Sequence, residues 1–288
     1  MVDTVNRLGT NNTKFNKGEI NTMLSVIIPS YRNPKYLDLC INSALKTQTE
    51  KNEIIVVLDG FISISSHIIE KYKNEVAFLE FEENRGMQAA INFGVYNATN
   101  NDILVVSEDN IFPKNWDLIL NNKIKELQNN FILTPNQIEP TGPSIYNFKF
   151  YNFGETADNF NLEKFIENEP NFREDKMTND GGTFPFCMKK RDFMKIGGFD
   201  TSYNSPFVVD WDFFLKAELC NMNLYRLHSL NFYHFVSKST KNRDGISNSN
   251  EKKEFFKGEE DAMQFFKYKW GFHPQRDKNN RCSQFLNF

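Results

Sequence analysis

The residues best suited to chemistry in this chain close the segment I-L-V-V-S-E-D-N, residues 103–110. An apolar run empties there into Glu108 and Asp109. Open α/β sheets bind their ligands at the carboxyl ends of such strands. Carboxylates at that edge suit a hard divalent cation, and the cation in turn suits a phosphate-bearing substrate. Asp59 closes a second apolar run, E-I-I-V-V-L-D-G (53–60), and Asn84-Arg85 follow a third, V-A-F-L-E-F (76–81). In a parallel sheet these ends share one edge. An acid there can accept hydrogen bonds from a nucleobase or ribose, and Asp109 can hold a metal bridging to a diphosphate. The planar guanidinium of Arg85 matches that diphosphate. Taken singly, Asp59 reads as the first half of an Asp-Gly turn and Arg85 as a surface ion pair. Their common edge is what argues for a site.

The surrounding pattern supplies the elements. L-S-V-I-I-P (24–29) reads as a buried strand. The segment after Pro34 has apolar residues at helical spacing, namely Tyr36, Leu37, Cys40, Ile41, Ala44 and Leu45. Ile62–Tyr72 and M-Q-A-A-I-N-F-G-V-Y-N-A (87–98) read as further helices, the latter with small residues suited to close packing on a sheet. Pro113 is expected to open a helix running through W-D-L-I-L-N-N-K-I-K-E-L, and F-I-L-T (131–134) to be a strand. Continuous apolar strands alternating with helices imply an α/β fold with a mostly parallel sheet covered on both faces. The first strand–helix turn, P-S-Y-R-N-P, has neither G-x-G-x-x-G nor a Walker lysine loop, which disfavours dinucleotide dehydrogenases and P-loop enzymes.

Residues 135–180 show weak periodicity, as expected of a functional or mobile segment. The Phe/Tyr-rich stretch 146–160 either packs on a binding groove or forms a hydrophobic flap. Order returns with G-G-T-F-P-F-C-M (181–188), the helix K-K-R-D-F-M-K-I and the turn G-G-F-D (197–200). Then come a helix over 208–219, with Asp210 and Asp212 in its first turn, and a strand over 224–235 ending at His234. First-turn acids are also what a helix dipole favours, and His234 equally fits a core histidine at a strand end. His67, His228 and His273 read as structural or exposed, Trp116 and Trp211 as core. After a polar linker, a tail helix carries Phe255, Phe256, Phe265, Phe266 and Trp270.

The chain has 288 residues, 40% of them hydrophobic and 25% charged, with a net charge of −3. That balance gives no footprint for nucleic-acid binding. No apolar run approaches the roughly 20 residues that span a bilayer. Met1–Thr22 lacks the apolar centre of a secretory signal and reads as a flexible arm. The four cysteines are widely spaced, which speaks against a zinc knuckle and for a reduced, cytosolic setting.

Taken together, these motifs resemble glycosyltransferase family 2, whose members have the GT-A fold. V-I-I-P-S-Y resembles the family's first strand, I-V-V-L-D-G its V-V-D-D-G-S segment and N-R-G-M-Q-A-A-I-N-F-G its N-x-G-x-x-x-A-x-N-x-G helix. V-S-E-D-N resembles the D-x-D motif. G-G-F-D followed by V-D-W-D-F-F-L-K-A resembles the acceptor-side segments, Y-H-F-V-S-K-S-T the terminal histidine region, and K-Y-K-W-G a segment found near the C-terminus. The likeness covers roughly residues 24–240 and part of the tail. Ser107, Leu58 and Val209 stand where the family usually has acids.

The resemblance implies a GT-A domain over 23–240. Its nucleotide-sugar half is expected at 23–134, its acceptor half at 135–240, with a linker and helical tail at 241–288. It implies an inverting transferase that takes a nucleotide-diphosphate sugar, with UDP-sugars favoured, and a divalent cation, Mn2+ or Mg2+. Pro29, Ser30, Tyr31 and Asp59 would border the nucleoside, and Asn84 and Arg85 the ribose or diphosphate. Glu108 stands in for the missing acid at 107. Asp109 and His234 would be metal ligands, and Asp210 the catalytic base with Asp212 as competitor. The acceptor would be a glycan, a lipid-linked glycan or a protein. The expected setting is the cytoplasm, including the inner face of a membrane. The tail is expected to dock on the catalytic domain, with a homodimer or a membrane contact as alternatives. Two other functions stay open: a degenerate sugar-nucleotide or glycan-binding module, and a sugar nucleotidyltransferase, which would need the missing glycine–lysine loop.

Overall fold

A computed structural model of the chain describes residues 23–142, 148–235 and 249–286, with the backbone alone at 249–256 and 284. The N-terminal arm, most of the linker and the side chains of Phe255 and Phe256 therefore lie outside the described residues. In chain order the elements are β1 (Leu24–Ser30), α1 (Pro34–Thr47), β2 (Glu53–Asp59), α2 (Ser66–Tyr72), β3 (Ala77–Phe81), α3 (Met87–Asn97), β4 (Asp102–Val105), β5 (Asn110–Ile111) and α4 (Trp116–Leu127). There follow β6 (Phe131–Glu139), β7 (Lys149–Phe150), α5 (Leu162–Asn168), β8 (Met177–Thr178), β9 (Phe186–Lys189), α6 (Lys190–Ile196), α7 (Val209–Leu219), β10 (Asn223–His234) and α8 (Ser249–Trp270).

The described strands form one sheet in the order β3-β2-β1-β4-β9-β6-β10-β5, with β7 on β6 and β8 on β10. The pairs β3–β2, β2–β1, β1–β4 and β6–β10 are parallel, while β9 runs antiparallel between β4 and β6. Strand alternation divides the apolar side chains between two faces. Ile27, Ile55, Val57, Ile103 and Val105 pack with α3, α6 and α7. Val26, Ile28, Ile54, Val56, Leu58 and Leu104 pack with α1, α2 and α4. Helix α3 approaches the sheet closely at Gly94, where a Cβ would sit 2.5 Å from Ile27 Cγ2.

Two local expectations are corrected. Pro113 precedes α4 instead of lying in its first turn, since that helix starts at Trp116 after the left-handed Asn115. Strand β6 runs past Thr134 to Glu139 and includes Pro135. Its neighbour β10 accommodates the proline with a register shift between Leu227 and Asn231, the irregularity at which a proline fits inside a sheet.

The tail packs into the same core. Ala262, Phe266, Phe272 and Cys282 are buried beside Tyr203, Phe213 and Leu215. Trp270 Nε1 donates to Asp212 Oδ1 at 2.8 Å. None of the described helices is long and apolar enough to cross a membrane.

Candidate active site

At the carboxyl ends of the parallel strands lies a cavity of about 380 Å³. One wall is made by Pro29 and Ser30 from β1 and Tyr31 just after it, Asp59 from β2, Asn84 and Arg85 after β3, and Glu108 after β4. These are the residues the sequence placed near a nucleotide, except that Asp109, expected with them, is not on the wall. The opposite wall is Thr201, Tyr203, Asn204, Ser205 and Pro206, from the loop between α6 and α7. Sequence reasoning missed that wall, because a polar loop carries no periodicity. Gln88 joins the two walls: its buried Nε2 donates to the carbonyls of Tyr203, at 2.5 Å, and Ser205, at 3.3 Å.

Asp59 both closes a turn and lines the cavity. It is 2% exposed. Its Oδ1 accepts from the Arg85 N–H at 2.6 Å and its Oδ2 from the Gly86 N–H at 2.9 Å. Gly60 has a φ of +80°, and a Cβ there would lie 2.9 Å from the Asn84 nitrogen. The Asp-Gly pair thus lets the 84–86 loop fold onto the strand end and holds it there. At the rim, Tyr31 and Phe61 meet edge to face at 5.7 Å, and the Arg32 guanidinium lies 4.2 Å from the Phe61 ring centre. Arg32 and Phe61 both have φ of 56°, a costly conformation for non-glycine residues that is concentrated at ligand sites.

Asp109 does not line this cavity. It is 1% exposed, its Oδ1 accepting from Ser107 Oγ at 2.7 Å. His234, the last residue of β10, presents Nε2 at 3.8 Å from Asp109 Oδ2 and Nδ1 at 2.9 Å from Glu139 Oε1. Burial disfavours the charged imidazole, but Asp109 and then Glu139 outweigh it and hold the His234 pKa above the ordinary histidine value. Glu139 went unseen in the sequence because β6 seemed to stop at Thr134. Among the described residues no group of three or more His, Cys, Asp or Glu side chains is placed to hold a metal ion by itself. Cations of the Mg2+ type do not need one, since one or two carboxylates and the substrate phosphates hold them. A carboxylate and an imidazole nitrogen 3.8 Å apart can both reach one ion, each bond being roughly 2.0–2.2 Å. The donor set fits.

The two acids of α7 differ sharply. Asp212 is fully buried, and its Oδ1 receives Tyr203 Oη at 3.2 Å, Trp270 Nε1 at 2.8 Å and Lys269 Nζ at 2.7 Å. It ties the tail to the 201–206 loop. The Asp210 side chain keeps 26% exposure, with Arg276 Nη2 at 3.4 Å from Oδ2. Burial pushes the Asp210 carboxyl above its usual value against the opposing charge of Arg276. Asp210 does not line the cavity of the strand ends.

The family model for glycosyl transferase family 2 matches residues 25–195, more than half of the chain. This protein belongs to glycosyltransferase family 2. Among its relatives, glycosyltransferase GlyA of Streptococcus pneumoniae is 34% identical over 38% of this chain and 16% of its own length. GlyG of the same organism is 27% identical over 49% of this chain and 43% of its own. An uncharacterized glycosyltransferase of Haemophilus influenzae is 27% identical over 67% of this chain and 61% of its own. The chain thus spans less than two thirds of each of these relatives. Staphylococcus aureus TarS 1–349 in complex with UDP superposes with a TM-score of 0.55 at 18% identity, over 87% of this chain and 72% of that one. GalNAc-T7 with UDP, GalNAc and Mn2+ gives 0.56 at 13% identity, over 75% and 44%. These likenesses show that this family 2 member has the GT-A fold.

Proposed function

We propose that the protein transfers a sugar, with inversion, from a nucleotide-diphosphate donor to an acceptor hydroxyl, and that the donor is a UDP-sugar. The observation that carries this reading is the convergence of Pro29, Ser30, Tyr31, Asp59, Asn84, Arg85 and Glu108 on one cavity. Solved relatives in fold hold UDP, one of them with Mn2+. In this reading Tyr31 and Asp59 border the nucleoside, and the clamped 84–86 loop presents Arg85 to the diphosphate.

Asp109 and His234 would hold the divalent cation, which when bound supplies Lewis-acid neutralisation of the leaving diphosphate. Asp210 is the proposed base, because Asp212 is fully buried with its Oδ1 held by Tyr203, Trp270 and Lys269. A base must reach the proton it removes, and the partly exposed Asp210 has both room and a raised pKa. The carboxylate of Asp210 takes the acceptor hydroxyl proton as that oxygen bonds to the anomeric carbon. The bond from the anomeric carbon to the diphosphate breaks on the opposite side, and its electron pair leaves with the diphosphate. The acceptor is a glycan, a lipid-linked glycan or a protein, met in the cytoplasm or at the inner face of a membrane.

A thermal-shift panel of UDP, GDP, CDP and dTDP, with and without manganese, tests the reading. A ligand at about 100 times its Kd adds roughly 2.7 kcal/mol, enough for a shift of a few degrees. Stabilisation by UDP that depends on metal supports it. No shift with any nucleotide rejects it. The Ser107–Asp109 hydrogen bond, where the family usually has an acid, favours a second reading as a binding module. UDP binding without turnover of any UDP-sugar would select that one.

A further inference from the structure

The segment after α8 reaches back to the first turn of α7. Arg276 lies there with its side chain 6% exposed. Its guanidinium carbon sits 4.4 Å from the centre of the Trp211 ring, and Nη2 is 3.4 Å from Asp210 Oδ2. Nη1 donates to Asn280 Oδ1 at 3.0 Å, and Asn280 Nδ2 donates in turn to the Gly181 carbonyl at 3.0 Å. The segment is pinned on both sides of Arg276. Lys269 and Trp270 hold Asp212, while Arg281 donates to the Leu224 carbonyl and the Ser283 N–H to Glu218. A cation buried on an aromatic face and fixed by a second hydrogen bond is a built position, in contrast to a passing surface contact.

We propose that Arg276, supplied by a segment outside the matched family region, is a positioning residue that fixes the Asp210 carboxylate for proton removal. The inference rests on the reading of Asp210 as base. The groups facing that carboxylate are few. Arg276 is the largest opposing influence on its burial-raised affinity for protons, followed by the N–H groups of Trp211 and of Asp210 itself. Cys282, nearby, has its thiol pushed up to about 12 by burial and stays neutral. Arg276 thus favours the ionised form of Asp210 against its burial, while Trp211 and Asn280 set the direction from which it is held. The tail is then a working part of the acceptor side.

The test is the carbon-13 titration of the Asp210 carboxyl, assigned with Asp210→Asn, in the full chain. In Arg276→Gln the midpoint is expected to move to higher pH, with about tenfold tighter proton binding for each unit. In Arg276→Lys it should stay near the parent. UDP affinity should be unchanged in both, and the acid limb of UDP release from UDP-sugars should move with the midpoint. If Arg276→Gln does not fold, Trp211→Leu removes the platform beneath the guanidinium and should shift the midpoint in the same direction. An unmoved midpoint overturns the proposal, whatever Asp210→Asn does to turnover. A moved midpoint with full turnover in Asp210→Asn instead overturns the assignment of Asp210 as base.

Discussion

His234 Nε2 stands 3.8 Å from Asp109 Oδ2, and the same ring is held from its other nitrogen by Glu139. The two carboxylates raise the pKa of the histidine, so a cation must compete with a proton for Nε2. Metal ligation by histidine requires the neutral ring. Manganese-dependent stabilisation by UDP should therefore strengthen as pH rises from about 6 to about 8. In His234→Ala that dependence should flatten and metal affinity should fall by about 10-fold or more. Thermal shifts with UDP and manganese across this pH range decide it, and a parent response independent of pH would remove His234 from the site.

Asp59 gives a prediction of a different kind, because it acts on a loop. Its carboxylate holds the N–H groups of Arg85 and Gly86. Asp59→Ala leaves two donors without their acceptor, at about 1–3 kcal/mol for a buried group. It also releases the loop that carries Arg85. UDP affinity should fall more than stability does. Calorimetric titration of UDP beside denaturant unfolding separates the two losses, and unchanged UDP affinity would limit Asp59 to the turn.

Asp210→Asn should abolish turnover, spare UDP binding and make the protein more stable at neutral pH. The sign follows from linkage. A carboxyl whose folded pKa is raised contributes stability below its unfolded pKa and loses it as pH rises through the folded value. A neutral asparagine avoids that loss. The variant's advantage should be present at pH 7 and vanish toward about pH 4, near the ordinary aspartate pKa. Thermal unfolding at several pH values checks it; a variant less stable than the parent at pH 7 would contradict the burial argument. Sites that carry such internal costs are common where function requires them.

Gln88 links the walls of the cavity through two carbonyl contacts. Gln88→Glu replaces the donating amide with a group that repels those carbonyls when ionised. The 201–206 loop should loosen, with weaker binding of the UDP-sugar than of UDP itself if that wall faces the sugar. Equal losses for both ligands would place the sugar elsewhere.

What could be read from the sequence was whatever depends on local pattern. Apolar runs such as 24–29 and 53–58 announce buried strands, and an acid just past such a run announces the edge where ligands bind. That logic pointed to Asp59 and Glu108, which line the cavity, and to Asp109, which is buried within 3.8 Å of His234. It failed where position depends on tertiary packing. Pro135 seemed to end β6, but the shift in β10 absorbs it, and so Glu139 was overlooked. Tyr203 and Ser205 lie in a loop without periodicity, and Arg276 reaches Asp210 only because the tail folds back across α7. Asp210 and Asp212 could not be separated by sequence because both occupy a first helical turn; burial and partners separate them.

The tail supplies the last prediction. Phe266 is fully buried and packs edge to face with Phe272 at 5.5 Å, within the same apolar cluster as Phe213 and Leu215. If the tail belongs to the catalytic domain's own core, Phe266→Ala should cost about 3–5 kcal/mol, the range for emptying a buried aromatic site. Unfolding should then stay a single transition followed alike by probes on the tail and on the sheet. If the tail were an independent dimer element, the same substitution would lower the association state and leave the unfolding of the sheet unchanged. Denaturant unfolding with tryptophan fluorescence and circular dichroism, beside sedimentation of parent and variant, distinguishes the two. Asp212 joins Trp270 of the tail to Tyr203 of the cavity wall, so loss of Phe266 should also weaken binding of the UDP-sugar well below the unfolding midpoint.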